Sequence, residues 1–237
     1  MSTNHTSMNI MMNTEGNMKG LKYILGLLII FSAATEHYTQ AGDKGVLITD
    51  IGVGGTGYKL LTNYSFKESS AVDYGLMAHV GYNFHKSVGL NLEFENRNYL
   101  AGDSVEVDKI LSNRIGVGAE FHMINKPKFT LSIGMLVGGF TFNYNVIDST
   151  NTYDIKASGI YQKIGLTSRF YFGKKNAFGL FLNGGFVNNP MTYDSYEYNN
   201  EQQDYIDGIL VKDHRVFSRG FYVNIGLTYN WRIKNYY

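Results

Sequence analysis

The last strand-like stretch of the chain constrains its fold more than any other feature. From Gly220 to Trp231 the residues alternate without a break: Phe221, Val223, Ile225, Leu227, Tyr229 and Trp231 share one parity, and Tyr222, Asn224, Gly226, Thr228 and Asn230 the other. Successive strand side chains point to opposite faces, so this stretch presents one wholly apolar face and one polar face. An apolar face that finishes in Tyr229 and Trp231 fits a surface against lipid with aromatic rings anchored at its edge. An ordinary sandwich strand has the same period, so the decision falls to the rest of the chain.

Seven further segments repeat the pattern. They are Gly45–Gly57, Asp73–Phe84, Val88–Tyr99, a fourth around Arg114–His122, Phe129–Tyr144, a sixth that ends at Phe172, and Ala177–Asn188. Apolar residues such as Leu76, Leu92, Val117, Ile133, Leu166 and Leu182 hold one parity. The opposite parity carries Asp50, Glu93, Glu95, Arg97, Arg114, Glu120, Lys163 and Arg169. The connections alternate between short and long, with loops expected at Ala101–Lys109, Asp148–Lys156 and, longest, Asn189–Val216. In an up-and-down barrel this puts the short turns at one rim and the long loops at the other. Lys86, Lys126, Lys128, Lys174 and Lys175 fall in the short turns, beside outward aromatics such as Tyr82, Phe121, Phe170 and Phe178.

The fold expected is all-β: an eight-stranded antiparallel up-and-down transmembrane β-barrel preceded by a signal peptide. The soluble competitor, a lipocalin, is also an eight-stranded barrel but inverts the parity, with apolar residues around its ligand. Eight charged side chains cannot line a pocket for greasy ligands without a large desolvation cost.

Composition narrows the rest. A single run from Tyr23 to Ala34, preceded by Met18, Lys19 and Lys22 and followed by Thr39-Gln40-Ala41, reads as a secretory signal. Residues 1–41 are therefore expected to be leader and signal, and 42–237 one barrel domain. The net charge of +1 offers no electrostatic support for a nucleic-acid partner. The absence of Cys removes disulfides and thiolate zinc sites. Gly52-Val53-Gly54-Gly55-Thr56-Gly57, with Asp73 beyond, matches a dinucleotide fingerprint, but a polar loop follows where that fingerprint needs a helix.

With the signal, the eight amphipathic strands, the loop alternation and the ending Gly226-Leu227-Thr228-Tyr229-Asn230-Trp231, the region after the signal resembles the small outer-membrane barrels of the OmpA and OmpX type, the porin-like outer-membrane β-barrel proteins. Arg232–Tyr237 extend past the terminal Trp of that pattern. The resemblance implies a bacterial outer-membrane location, contact with outer-membrane lipid, recognition of the C-terminal strand by the barrel-assembly machinery, and a structural, adhesive or small-solute role. It carries no catalytic motif and no cofactor.

Two sets of candidate residues follow. Glu93, Glu95 and Glu120 are expected to pair across the lumen with Arg97, Arg114, Lys163 and Arg169, because buried charges need partners. Tyr193, Tyr196, Tyr198 and Tyr205, interleaved with carboxylates in the last loop, are expected to contact an extracellular ligand. The working expectation is a monomeric, non-enzymatic surface-binding or structural barrel. A rim enzyme using Asp213, His214 and Ser218, and a narrow solute channel, stay open as alternatives. His79 and His122 share the inner parity with Glu120, but no third ligand has metal-site spacing, so they are expected to be interior hydrogen-bonding residues.

Overall fold

Strands that each bury one polar face and expose one apolar face leave no free edge only if the sheet closes on itself. The computed structural model describes residues 45–62, 69–100, 107–148, 151–173, 176–206 and 209–232. These lie in the compact unit His37–Tyr237; the expected leader and signal, residues 1–41, lies outside the described residues. Seven long strands run in order: β1 (Val46–Thr62), β2 (Ser69–His85), β3 (Val88–Leu100), β4 (Val107–Lys126), β5 (Phe129–Asp148), β6 (Asn151–Phe172) and β7 (Phe178–Tyr198). Short strands β8 (Glu201–Gln202), β9 (Tyr205–Ile206) and β10 (Ile209–Leu210), with a 3-10 turn at Val211–Asp213, lead to the last long strand, β11 (Arg215–Arg232). Each long strand is antiparallel to its neighbours, and β11 pairs with both β1 and β7 to close a ring of eight.

The two parities separate as the alternation requires. Leu90, Phe94, Ile115, Met135, Leu166 and Phe221 are exposed on the outer wall, while all the expected inner charges are buried. An apolar belt of this extent has no place against water and faces the hydrocarbon of a bilayer. At the closing strand Trp231 turns outward and donates from Nε1 to Thr49 Oγ1 at 3.2 Å. Its companion Tyr229 is buried rather than exposed, its ring edge-on to Trp231 with centroids 4.4 Å apart.

The inside is filled by side chains in layers, and glycines make the room. A Cβ at Gly165 would collide with the Tyr222 hydroxyl, and one at Gly116 with Tyr161, so these strand glycines let large polar rings lie across the lumen. The Gly52–Gly57 run is simply part of β1, continuously paired with β2 and β11.

The long-connection rim departs from the expected loops. Pairing between β5 and β6 continues to Asp148 opposite Asn151, so the loop expected at Asp148–Lys156 shrinks to a two-residue connection. The loop expected at Asn189–Val216 is likewise mostly strand: β7 runs on to Tyr198, and β11 begins at Arg215 opposite Thr192. β4, β5, β6 and β7 have 20, 20, 22 and 21 residues, against the roughly 9–11 that cross a bilayer, and β4 stays paired with β5 as far as Val107 opposite Val146, so a four-stranded sheet stands above the barrel. Polar residues there look like loop in the sequence because their apolar partners lie on other strands.

Candidate functional site

Two assemblies of side chains stand out, one in the lumen and one at the mouth. In the lumen the seven expected charged residues are all brought together. Toward the short-turn rim, Arg169 on β6 donates to Asp50 on β1 at 2.8 Å and to Glu120 on β4 at 2.5 Å. Glu120 also accepts from Ser132 on β5, and His79 Nδ1 lies 3.0 Å from Asp50. Above this, Lys163 reaches Glu93 at 2.6 Å and Glu95 at 2.8 Å. Glu95 accepts as well from Arg97 at 2.7 Å and from Arg114 at 3.1 Å. Arg114 continues to Asp73 at 2.8 Å, a carboxylate that also accepts from the Tyr58 hydroxyl at 2.8 Å. Asp73, singled out in the sequence only beside the glycine run of the dinucleotide fingerprint, is thus a lumen anion; its inner parity on β2 is the signal for it. Between the two clusters the lumen retains a cavity of about 30 Å³, bordered by Glu93, Glu120, Lys163 and Arg169.

Higher in the barrel the filling changes from charge to hydrocarbon. Phe140, Ala157, Tyr161, Met191 and Val216 form one buried cluster, with Phe142 and Tyr193 packed against it. This cluster is the floor of the mouth.

The second assembly is a cleft of about 340 Å³ on the inner face of the protruding sheet. Tyr144 comes from β5, Tyr153 and Ile155 from β6, Tyr193 and Tyr196 from β7, and Ile206 and His214 close it from the return segment. A β-bulge creates this face. Lys156 is paired with Ser195 and Ala157 with Tyr193, leaving Asp194 as the extra residue. Strict alternation would put Tyr193 and Tyr196 on opposite faces, whereas one inserted residue puts both inside. The bulged Asp194 accepts from Ser158 Oγ at 2.9 Å.

The return segment is positioned by another local device. Asn199 and Asn200 have φ of 51° and 65° and form a two-residue turn that pairs Tyr198 with Glu201. Positive φ at both central residues is the turn that matches strand twist, and Asn tolerates it. His214 then stacks on Tyr193 with ring centroids 5.5 Å apart and planes at 10°, its Nε2 3.3 Å from the Ile206 carbonyl. Burial pushes the Tyr144 phenol above its ordinary pKa, and burial together with Tyr144 does the same for Tyr193. Both hydroxyls therefore stay protonated and able to donate.

Of the four tyrosines expected to bind, Tyr193 and Tyr196 line the cleft. Tyr198 sits at its margin against Tyr153, ring centroids 5.3 Å apart, and Tyr205 is exposed on β9 away from it. Three of the four are on the β7 extension and not in a loop. Tyr144, Tyr153, Ile155 and Ile206 were not legible as site residues; the Asn199-Asn200 turn was the overlooked signal that strands continue here. Ser218 is buried on β11 opposite Asn189, whereas His214 lies outside the strand on Tyr193, so the trio considered for a rim enzyme is not gathered. His122 Nε2 lies 3.0 Å from Asn83 Oδ1, which makes it, like His79, an interior hydrogen-bonding group. Among the described residues no group of three His, Cys, Asp or Glu side chains is placed to hold a metal ion.

No protein-family model matches the sequence, and no curated protein matches it. Solved structures do. The outer membrane protein AlkL, determined in DMPC lipid bilayers, superposes with a TM-score of 0.53 at 11% identity, over 86% of this chain and 98% of that one. OprG from Pseudomonas aeruginosa gives 0.49 at 10% identity, over 84% and 100%. Ail from Yersinia pestis gives 0.43 at 12% identity, over 78% and 99%. With a closed ring of eight strands, an apolar outer wall and a charged interior, the chain has the fold of the small bacterial outer-membrane β-barrels of the OmpA and OmpX type.

Proposed function

We propose that the protein is a monomeric outer-membrane barrel that works by binding, and that the aromatic cleft at its mouth takes a neutral or amine-bearing saccharide from the cell exterior. The observation that carries this reading is the convergence of Tyr144, Tyr153, Tyr193, Tyr196 and His214 on one 340 Å³ cleft at the long-connection rim. Tyrosine offers a flat apolar face with a polar tip at little cost in conformational entropy, which suits a ring with hydroxyls on its edge. The segment 189–216 that supplies Tyr193, Tyr196, Ile206 and His214 carries six carboxylates against Lys212 and Arg215, an acidic field that disfavours an acidic ligand. The lumen supports binding over transport, since its cavity of about 30 Å³ holds little more than a water molecule. Assembly in this reading runs through β11, whose apolar face and Trp231 ending form the expected insertion signal.

The test is a titration of detergent-folded protein against immobilised neutral, amino and acidic glycans. Replacing both rings, Tyr193→Ala with Tyr196→Ala, is expected to weaken the best neutral or amino ligand by roughly 30-fold or more, the loss typical of two central aromatic contacts. The heat-modifiable gel mobility of the folded barrel should be retained. Undiminished binding by the double variant places the site elsewhere, and a preference for acidic glycans overturns the charge argument.

A further inference from the structure

On one side of the barrel the apolar outer wall carries a row of polar side chains. Gln162 on β6, Asn188 on β7, Arg219 on β11 and Lys59 on β1 are register neighbours across four adjacent strands, all on the outward parity. The row is organised. Asn188 Nδ2 donates to Gln162 Oε1 at 3.2 Å, and Arg219 Nε donates to Asn188 Oδ1 at 3.3 Å. The two amides thus orient an exposed guanidinium, and among the described residues no carboxylate pairs with Arg219.

Its height is fixed by the register. Each member lies ten residues along its strand from a second row, Phe172, Phe178, Tyr229 and Thr49, which marks the short-turn edge of the wall. At roughly 3.3 Å per residue and a tilt of about 40°, ten residues rise about 25 Å, the height of the apolar band in such barrels. The row therefore meets the headgroups of the far leaflet. It is not merely the point where the wall enters water, because Ile160 and Phe217, two residues higher on β6 and β11, are again apolar and outward, with exposures of 54% and 39%. Beside the row runs a cleft of about 660 Å³, with Val117, Met135, Val137, Ile164 and Phe186 along it and Arg219 at its margin. That volume lies within the roughly 300–1,000 Å³ of ligand pockets.

We propose that this row and cleft form a site for a phosphorylated lipid of the outer leaflet: the phosphate sits against Arg219 and Lys59, and an acyl chain lies along the apolar residues. Arginine presents donors in a fixed fork suited to phosphate, and Lys59 adds a flexible charge that snorkels to the same level. A cation row edged by apolar surface is complementary to an anionic amphiphile, and to neither a neutral lipid nor a soluble anion alone.

Native mass spectrometry of the delipidated, refolded barrel tests this, with diphosphorylated lipid A and its dephosphorylated form as probes. The wild-type protein is expected to retain the phosphorylated form in clear preference. Arg219→Gln with Lys59→Gln should weaken it roughly 30-fold, the effect of removing two cations at a membrane surface, while Arg219→Lys retains most of the binding. Equal retention of the two lipids by wild-type protein overturns the proposal whether or not the double variant folds. So does unchanged binding by a double variant that keeps its folded gel mobility. Displacement of the lipid by millimolar inorganic phosphate would show that the site reads free phosphate and not a lipid.

Discussion

The lower lumen and the mouth are built on the same strands, yet they hold opposite side chains and obey opposite constraints. In the lower lumen β6 supplies Lys163 and Arg169, each locked between carboxylates of facing strands. A few residues further along, the same inner face supplies Ala157, Ile155 and Tyr153 to an apolar cluster and an open cleft. The first region is closed by complementary charge and gains its order from partners that cannot be removed singly. The second is held by packing that leaves a concavity. Stability is thus concentrated below, and room for a ligand above.

The largest effect that separates the regions is expected at Glu95. It accepts from Arg97, Arg114 and Lys163, so Glu95→Ala leaves three buried cations short of a partner, at a cost of about 3–5 kcal/mol. Tyr196→Ala, on the half-buried cleft face, should cost about 1 kcal/mol. Urea unfolding of both variants in lipid vesicles checks this, and equal shifts would erase the division. A sharper probe is the bulge. Deleting Asp194 removes the extra residue and leaves Ser195 opposite Lys156 and Tyr196 opposite Ile155 in a regular ladder, so Tyr193 and Tyr196 stay on the inner face and saccharide binding should change by less than about threefold. Lost binding in a variant that keeps its folded gel mobility would mean that the local twist of the bulge, and not the shared parity of the two rings, builds the site. The smallest effect is expected in a planar bilayer, where the filled lumen should give no steady porin-sized conductance; a stable large current would show that the charge layer opens.

Much of this was legible in the residues. The inner parity of Glu93, Glu95 and Arg97 on one strand and Lys163 and Arg169 on another already demanded mutual pairing, because no other environment tolerates them beside a lipid-facing wall. The site at the mouth was legible only in part. Tyr193 and Tyr196 stood out by type, but their neighbours Tyr153 and Ile155 lie in a stretch whose turn residues suggested loop, which has no fixed face, and Tyr144 is the last residue of an expected strand with nothing to show what it would face.

What the sequence alone determined is the barrel: the period of two sorts every side chain to lipid or lumen, and that sorting needs no knowledge of which strand lies beside which. What only the tertiary structure decided is where pairing stops and where it slips. The extension of β4, β5, β6 and β7 exists because four strands support one another past the rim, and the aromatic face exists because Asp194 is left out of the register between two of them. Both are properties of strand pairs. A pair energy is not written in either strand alone, so the residues that meet in the cleft became neighbours only when the sheet was assembled.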